Sequence, residues 1–204
     1  MSADVLIVRT GAANLASVVA AFKRLDRSVK ITDNAFAVRN APRVVLPGVG
    51  AFAPVARRLD ENGLGEAIRY RVEQDLPTLA VCLGLHLLAE ESEEGAGVGG
   101  LGLLKVKASR YPESVVVPQL GWNTVEAESE CRLLRDGAAY FANSYRLVDQ
   151  PPGWHVAWSD HGGRFVAAVE RGNILGCQFH PELSATWGGD LLDRWVRCEG
   201  GETC

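Results

Sequence analysis

The sequence predicts a single α/β domain with an open, mostly parallel sheet, flanking helices and an added antiparallel strand region. Short continuous apolar runs in the first half, helical spacing between them, and closely spaced strand-like runs in the second half support this fold class. The chain has 204 residues, which is enough for one domain with its own core. We assign that domain to residues 4–198 and expect the tail, residues 199–204, to be frayed.

In the first half, strands and helices alternate. Three apolar runs, typical of strands that are covered on both faces, lie at 5–8, 44–46 and 78–81. Apolar residues with helical spacing lie between and after them at 14–25, at 54–74 with an interruption near 62–63, and at 83–90. This alternation favours a parallel sheet with helices on both sides.

The second half consists mainly of strand-like runs separated by turns. The runs lie at 115–117, 140–141, 155–158, 165–169 and 174–179. Turn residues stand at 151–153, 161–163 and 171–173, and the last two turns flank a hairpin strand. A final helix, Ala185–Arg197, is predicted to return to the sheet.

Composition and charge argue against several classes of function. The net charge of −4 gives no large basic surface for nucleic acid. No apolar run reaches the roughly 20 residues that span a bilayer, and the first residues lack the pattern of a signal peptide. The five cysteines, at 82, 131, 177, 198 and 204, form no C-x-x-C pair. We therefore expect a protein of the reducing cytoplasm that needs neither metal nor cofactor.

Cys82 stands where the apolar run 78–81 turns into a helix. A side chain at such a turn lies above the carboxyl edge of the sheet, and the free N–H groups of a helix N-terminus favour a thiolate. Gly84 permits close packing of strand and helix, although Ala80 occupies a position where a nucleophile elbow usually has Gly. The alternative is a small buried cysteine that only fills the core.

His180 and Glu182 lie two residues apart, with Pro181 between them. Residues i and i+2 of an extended chain project to one side, and a carboxylate beside an imidazole fixes its tautomer and favours its protonated form. Together with Cys82 they supply the thiol, base and orienting acid of a covalent acyl-transfer site. The alternative is a strand-end histidine whose hydrogen bond is satisfied by a neighbouring acid.

A glycine-rich segment, Gly48-Val49-Gly50, follows the apolar run 44–46. Its backbone can approach a ligand closely and can aim an N–H group at a developing oxyanion. The N–H group of Leu83, directly after Cys82, would be the second donor. The alternative is an ordinary turn from strand to helix.

These segments resemble the triad-type glutamine amidotransferases. The resemblance is carried by the Cys82 turn, the loop at 47–50 and the run from Gln178 to Glu182. Further motifs resemble the glutaminase subunits of imidazole glycerol phosphate synthases; they lie at Gly11, Asn14-Leu15, 90–94, 100–103, 121–123 and 140–145. The match runs from about residue 5 to residue 195, which is nearly the whole chain.

The resemblance implies that Cys82 attacks the side-chain amide of L-glutamine, that His180 transfers protons and that Glu182 orients His180. It also implies a glutamine pocket lined by His86, Tyr140, Ser144 and Tyr145. The implied partner is a (β/α)8-barrel synthase subunit that forms a heterodimer, receives the ammonia and activates the glutaminase by reorienting the loop at 47–50. The implied docking surface consists of Asn14, Gly121, Trp122 and Asn123.

The sequence departs from the family pattern at four positions. His86 replaces a common Gln, and one helical turn from the thiol it could compete as an acid or base. Leu183 replaces a Lys that pairs with the barrel in the family, while Asn143 and Gln119 replace histidines. These departures keep two rivals open: a paralogous glutaminase that feeds a different synthase, and a non-catalytic regulatory relative. The G-x-G-x-x-G match at 95–100 follows a cluster of glutamates, so we interpret it as a surface loop and the glutamates as a solvated helix end.

Overall fold

The protein is described here from a computed structural model, which describes residues 3–11 and 14–197. Residue 198, the tail predicted at 199–204 and the last two cysteines lie outside the described residues. The described strands are β1 Val5–Val8, β2 Val29–Thr32, β3 Val44–Leu46, β4 Thr78–Val81, β5 Ala89–Ser92, β6 Leu104–Arg110, β7 Gln119–Ala127, β8 Gly137–Asn143, β9 Tyr145–Leu147, β10 His155–Asp160, β11 Arg164–Arg171 and β12 Ile174–Cys177.

The described α-helices are α1 Leu15–Arg24, α2 Ala35–Asn40, α3 Phe52–Glu61, α4 Leu64–Glu73, α5 Leu83–Leu88 and α6 Ala185–Arg197. Short 3-10 helices follow β5 and β12, at Glu93–Gly95 and Pro181–Leu183. The break predicted near residues 62–63 is confirmed, because Gly63 adopts a left-handed conformation with φ +64° between α3 and α4.

The sheet has a parallel half and an antiparallel half. β2, β1, β3, β4 and β12 pair in that order, and all of these pairs are parallel. β11, β10, β7 and β8 continue the sheet with antiparallel pairs. β5, β6 and β9 form a branch that joins the sheet where β9 meets β11. The predicted fold class is therefore confirmed.

Helices on both faces explain why the parallel strands are apolar at every position. In β1, Leu6 and Val8 belong to the core that contacts α3, α4 and α5. Val5 and Ile7 belong to the opposite core, with α1 and α6. Successive side chains of a strand point to opposite faces, so a strand that is covered twice has no polar position.

The strand predicted at 115–117 is wrong. This segment is irregular: the Val115 N–H donates to the Pro112 carbonyl in a turn, and Val116 is 81% exposed. Pro118 follows directly, and a proline cannot donate to a ladder of strand hydrogen bonds. Valine content alone therefore misled the prediction, because no strand pairs with the segment.

Other differences concern lengths and elements that were not predicted. The helix predicted at 83–90 ends at Leu88, and the strand predicted at 174–179 ends at Cys177. The elements that were not predicted are β2, α2, β5, β6, β7 and β9, while β8 is longer than predicted. Some of these elements are short, such as β2 and α2. Others have one face in solvent, as the alternating burial of β7 shows. Neither kind contains a continuous apolar run.

Arg71 connects α4 to two neighbouring segments from a fully buried position. Its guanidinium donates to the carbonyl oxygens of Val38, Arg39 and Ala41 at 2.7–3.3 Å, and to that of Pro77 at 2.7 Å. Its Nε donates to the Thr78 hydroxyl at 3.2 Å. Burial lowers the pKa of Arg71 to about 10, so the side chain remains charged at neutral pH.

We expect Arg71→Met to lower the free energy of unfolding by about 2–4 kcal/mol, because several buried carbonyl oxygens would lose their donor. Urea denaturation followed by circular dichroism measures this loss. Arg57→Met on α3 is the matched control: Arg57 is exposed, and its replacement should change stability by no more than about 0.5 kcal/mol. A loss as small for Arg71→Met as for the control would contradict the structural role of Arg71.

Candidate active site

Three of the segments singled out in the sequence follow neighbouring parallel strands. β4 pairs with β3 on one side, where Leu46 lies opposite Ala80. It pairs with β12 on the other side, where Cys177 lies opposite Val81. The carboxyl ends of these strands therefore meet at one edge, and the loop at 47–50, Cys82 and His180 lie next to one another.

Cys82 forms the predicted sharp turn between strand and helix. Its φ of 54° and ψ of −110° are unusual for a residue with a side chain. Its N–H donates to the Cys177 carbonyl at 2.7 Å, which holds the turn against β12. A Cβ atom on Gly84 would lie 2.2 Å from the Leu46 carbonyl oxygen, so the close packing expected at Gly84 is present.

His180 and Glu182 form a buried pair beside Cys82. The His180 Nδ1 donates to Glu182 Oε1 at 2.9 Å, and both side chains are about 95% buried. A 3-10 turn that begins at Pro181 brings the carboxylate back beneath the ring. The His180 N–H donates to the Tyr140 carbonyl at 2.9 Å, which fixes the backbone. Nε2 of the ring is then left to exchange a proton with the sulfur of Cys82.

The pKa of His180 is raised above its ordinary value. Burial alone lowers this pKa, but the interactions of the ring with Cys82 and Glu182 outweigh burial. The folded protein therefore holds the proton more tightly than the unfolded chain does. This contribution to stability is complete below pH 6.5, the ordinary histidine value, and is lost as the pH rises through the folded-state value.

The loop at 47–50 closes on the turn that carries Cys82. The Leu83 N–H, expected to be an oxyanion donor, donates to the Gly48 carbonyl at 3.3 Å. A Cβ atom on Gly48 would lie 2.5 Å from the Gly84 nitrogen, so only glycine allows this approach. Gly50 has a φ of +98°, a conformation that glycine adopts without strain. In this arrangement the Gly48 carbonyl occupies the Leu83 N–H, whereas an oxyanion donor would have to be free.

A cavity of about 210 Å³ opens above Cys82. Of the residues predicted to form the site, it brings together Val49, Gly50, Cys82, Leu83, His86, Ser144, Tyr145 and His180. Tyr140 does not line this cavity; its ring lies edge-on to Trp122, with ring centroids 6.3 Å apart. Glu182 lies behind the His180 ring.

Sequence reasoning missed three residues that line the cavity: Glu94, Ala142 and Asn143. The prediction that the glutamates form a solvated helix end is wrong, because Glu90 and Glu91 lie in β5 and Glu94 lines the cavity, where burial raises the pKa of its carboxyl group. The sequence does not distinguish Glu94 from its acidic neighbours, because only the turn after β5 selects which carboxylate faces the cavity. The glycines at 95–100 form a loop without a following helix, as expected.

His86 is buried, and its Nε2 atom is bonded to Gln178. Its Nε2 lies 2.7 Å from the Gln178 Oε1 atom, which can only accept, so His86 donates. Burial lowers the pKa of His86 to about 4, against the opposing effect of this hydrogen bond. The ring is therefore neutral at physiological pH.

The residues predicted to dock a partner occupy a partly apolar groove beside the site. Gly121, Trp122 and Asn123 line it together with Val116 and Leu120, which are 81% and 69% exposed. Trp122 is 57% exposed, and Asn123 donates to the Asp160 carbonyl at 2.8 Å. Asn14 lies elsewhere, as the N-cap of α1, where its side chain accepts from the Ser17 N–H at 3.5 Å. No helix within 3–11 and 14–197 is long and apolar enough to cross a membrane.

Known proteins resemble this chain over nearly its whole length. The model of the family "Glutamine amidotransferase class-I" matches residues 6–196. Imidazole glycerol phosphate synthase subunit HisH of Symbiobacterium thermophilum is 39% identical over 96% of this chain and 94% of the relative. The chloroplastic imidazole glycerol phosphate synthase hisHF of Arabidopsis thaliana is 36% identical over 94% of this chain, which spans 34% of that longer protein. A solved glutamine amidotransferase superposes with a TM-score of 0.75 at 21% identity, over 94% of this chain and 96% of that one.

We expect Glu182→Gln to lower the pKa of His180 by about one unit or more, because the amide lacks the negative charge that favours the protonated ring. An NMR titration of the imidazole carbon shifts measures the change. Asp193→Asn, which removes an acidic side chain paired with Arg197 on α6, is the control and should leave the His180 titration unchanged. If His180 titrates at the same pH in Glu182→Gln and in the unmodified protein, the carboxylate does not act on the ring.

Proposed function

Because the chain belongs to the class-I glutamine amidotransferase family, we propose that it is the glutaminase subunit of an imidazole glycerol phosphate synthase. The relative from Symbiobacterium thermophilum supports this assignment, since the match covers nearly the full length of both chains. The amidotransferase domain would comprise residues 4–198, in accord with the family match over 6–196. The described cysteines are free thiols, which suits a reducing cytoplasm.

The observation that carries the proposal is the meeting of Cys82, His180 and Glu182 at one sheet edge. Cys82 is held at a strained turn, it lines one cavity together with His180, and the His180 ring donates to Glu182 at 2.9 Å. A core cysteine needs neither the strained backbone nor the paired imidazole, so the arrangement favours nucleophilic chemistry.

In the proposed reaction the Cys82 sulfur attacks the side-chain carboxamide carbon of L-glutamine. His180 takes the thiol proton as a carbon–sulfur bond forms, and it gives this proton to the amide nitrogen as the carbon–nitrogen bond breaks and ammonia leaves. Water then attacks the thioester carbon after His180 has taken one of its protons. The carbon–sulfur bond breaks, glutamate leaves, and His180 returns the proton that it took from water to the sulfur. Glu182 keeps the ring in the tautomer that both steps need.

The glutamine pocket would be the cavity above Cys82. Ser144 and Tyr145 line it as the resemblance implies, and His86 contributes the part of its ring that is not bonded to Gln178. Glu94 adds a carboxylate, which suits the α-ammonium group of the substrate. Tyr140 would act on the docking side, since its ring contacts Trp122.

The proposed oxyanion site is closed in the resting protein. The Leu83 N–H is occupied by the Gly48 carbonyl, so it cannot stabilise a negative oxygen until the loop moves. We expect docking of the synthase subunit to reorient Gly48, Val49 and Gly50, which frees Leu83 and supplies a second N–H group. This closed loop supports the expectation of low activity without a partner.

The partner would dock over the groove that contains Gly121, Trp122 and Asn123. The exposed apolar residues Val116 and Leu120 give this groove the character of an interface core. Asn14, the N-cap of α1, lies outside the groove and would make a separate contact with the partner. The Arabidopsis relative supports a companion of larger size, because about two thirds of its length lies outside the match. We propose that the companion is a (β/α)8-barrel that receives the ammonia in a heterodimer.

Glutamate release by the purified chain, alone and mixed with the barrel subunit, tests the proposal. We expect release to rise about 100-fold or more when the partner completes the oxyanion site, because one such donor is worth about this factor. Cys82→Ala with the partner should reduce release to background, and it should still bind the partner. Equal rates with and without the barrel subunit would contradict the coupling.

Two further measurements separate the rivals. Complementation of a histidine auxotroph by the gene favours the proposed synthase, whereas failure alongside measurable glutaminase activity favours a paralogue. A diazo-ketone analogue of glutamine should label Cys82 in the presence of the partner. Absence of an adduct there would favour a non-catalytic regulatory relative.

A further inference from the structure

We propose that His86 and Gln178 are positioning residues for the sulfur of Cys82, joined in a chain that runs from His86 through Gln178 to Cys82. The inference rests on the proposed function only in taking Cys82 as the nucleophile. His86 Nε2 lies 2.7 Å from Gln178 Oε1, and Gln178 Nε2 lies 3.9 Å from the Cys82 sulfur. Both side chains are buried, at 3% and 0% exposure, so neither bond competes with bulk water.

The backbone places the two residues where they can act on the sulfur. Cys82 is the N-cap of α5 and His86 lies four residues further on, and both residues line the same cavity. Gln178 lies two residues before His180, and the ring of Phe179 between them packs against Phe141 and Trp187. The segment that carries the base therefore carries a second polar side chain towards the sulfur.

The direction of the hydrogen bonds gives each residue its role. Gln178 Oε1 is only an acceptor, so His86 carries its proton on Nε2 and donates. The N–H of the Gln178 amide then faces the sulfur, where it favours a thiolate. If the amide turned over, its oxygen would face the sulfur and repel a thiolate. His86 thus fixes the amide in the orientation that suits the reactive form of Cys82.

The charge state of His86 agrees with this role. Burial lowers its pKa to about 4, so the ring keeps one proton throughout the neutral range and places no second positive charge beside His180. When the sulfur is protonated, it can instead donate to the Ala142 carbonyl at 4.0 Å. The titratable groups around the sulfur or the cavity are His180, Glu182, His86, Glu94, Tyr111 and Tyr145.

Alkylation of Cys82 by iodoacetamide tests the proposal without glutamine or partner. The rate is followed between about pH 5 and 10 by mass spectrometry of the Cys82 peptide, because the thiolate is the form that reacts. We expect Gln178→Met to lower the rate at pH 7 about tenfold, and His86→Leu about threefold, with the half-maximal rate moved to higher pH. His86→Gln should stay within about twofold of the unmodified protein, since its amide also donates to Gln178.

Leu87→Ala is the control for a general loss of stability. Leu87 is fully buried on α5 and belongs to the core that contacts α3 and α4, so this variant should be less stable and keep the same alkylation profile. An unchanged profile in both Gln178→Met and His86→Leu would overturn the proposal. His86→Gln behaving like His86→Leu would overturn the donor role of His86.

If Gln178→Met fails to fold, the comparison of His86→Leu with His86→Gln decides the question by itself. A protein that shows the expected order of alkylation rates but releases no glutamate with its partner would support the positioning role and count against the proposed function. If the protein releases glutamate with its partner but the variants are alkylated at the rate of the unmodified protein, the proposed function is supported and the positioning role is not.

Discussion

The pairing of β4 with β12 is the interaction on which the site depends. Cys177 lies opposite Val81, and the Cys177 carbonyl accepts the N–H of Cys82 at 2.7 Å. The side-chain period of a strand is two, so a shift of one residue would turn Gln178 and His180 away from the sulfur and bring Phe179 towards it. The apolar burial that fixes this register in the parallel half therefore also fixes the geometry of the candidate site.

Two histidines in the same small volume show how neighbours decide the effect of burial. Burial lowers the pKa of both rings, and each pKa unit corresponds to about 1.4 kcal/mol. His86 has only a neutral amide as its partner and stays neutral. His180 has a carboxylate on one side and the sulfur on the other, and these interactions exceed the cost of burial. One ring can thus carry protons while the other fixes an orientation.

The sequence predicted those parts of the site that depend on local pattern. The continuous apolar runs located β1, β3 and β4. The Cys82 turn and the His180–Glu182 pair could each be recognised from a few neighbouring residues. The position of Glu94 depends on how β5 pairs with β6, and that of Tyr140 depends on its register opposite Trp122. These pairings join successive strands across a connecting segment, and no short run of residues encodes their register.

The closed loop at 47–50 is compatible with activation because little free energy holds it. The bond from the Leu83 N–H to the Gly48 carbonyl is a neutral hydrogen bond of 3.3 Å, and such bonds contribute about 0.5–1.5 kcal/mol net. A partner that prefers the open loop by only a few kcal/mol would reverse the populations. The closed loop requires glycine at position 48, since a Cβ atom there would lie 2.5 Å from the Gly84 nitrogen. Glycine at this position therefore permits the closed loop, and its backbone freedom would let the loop turn when a partner docks.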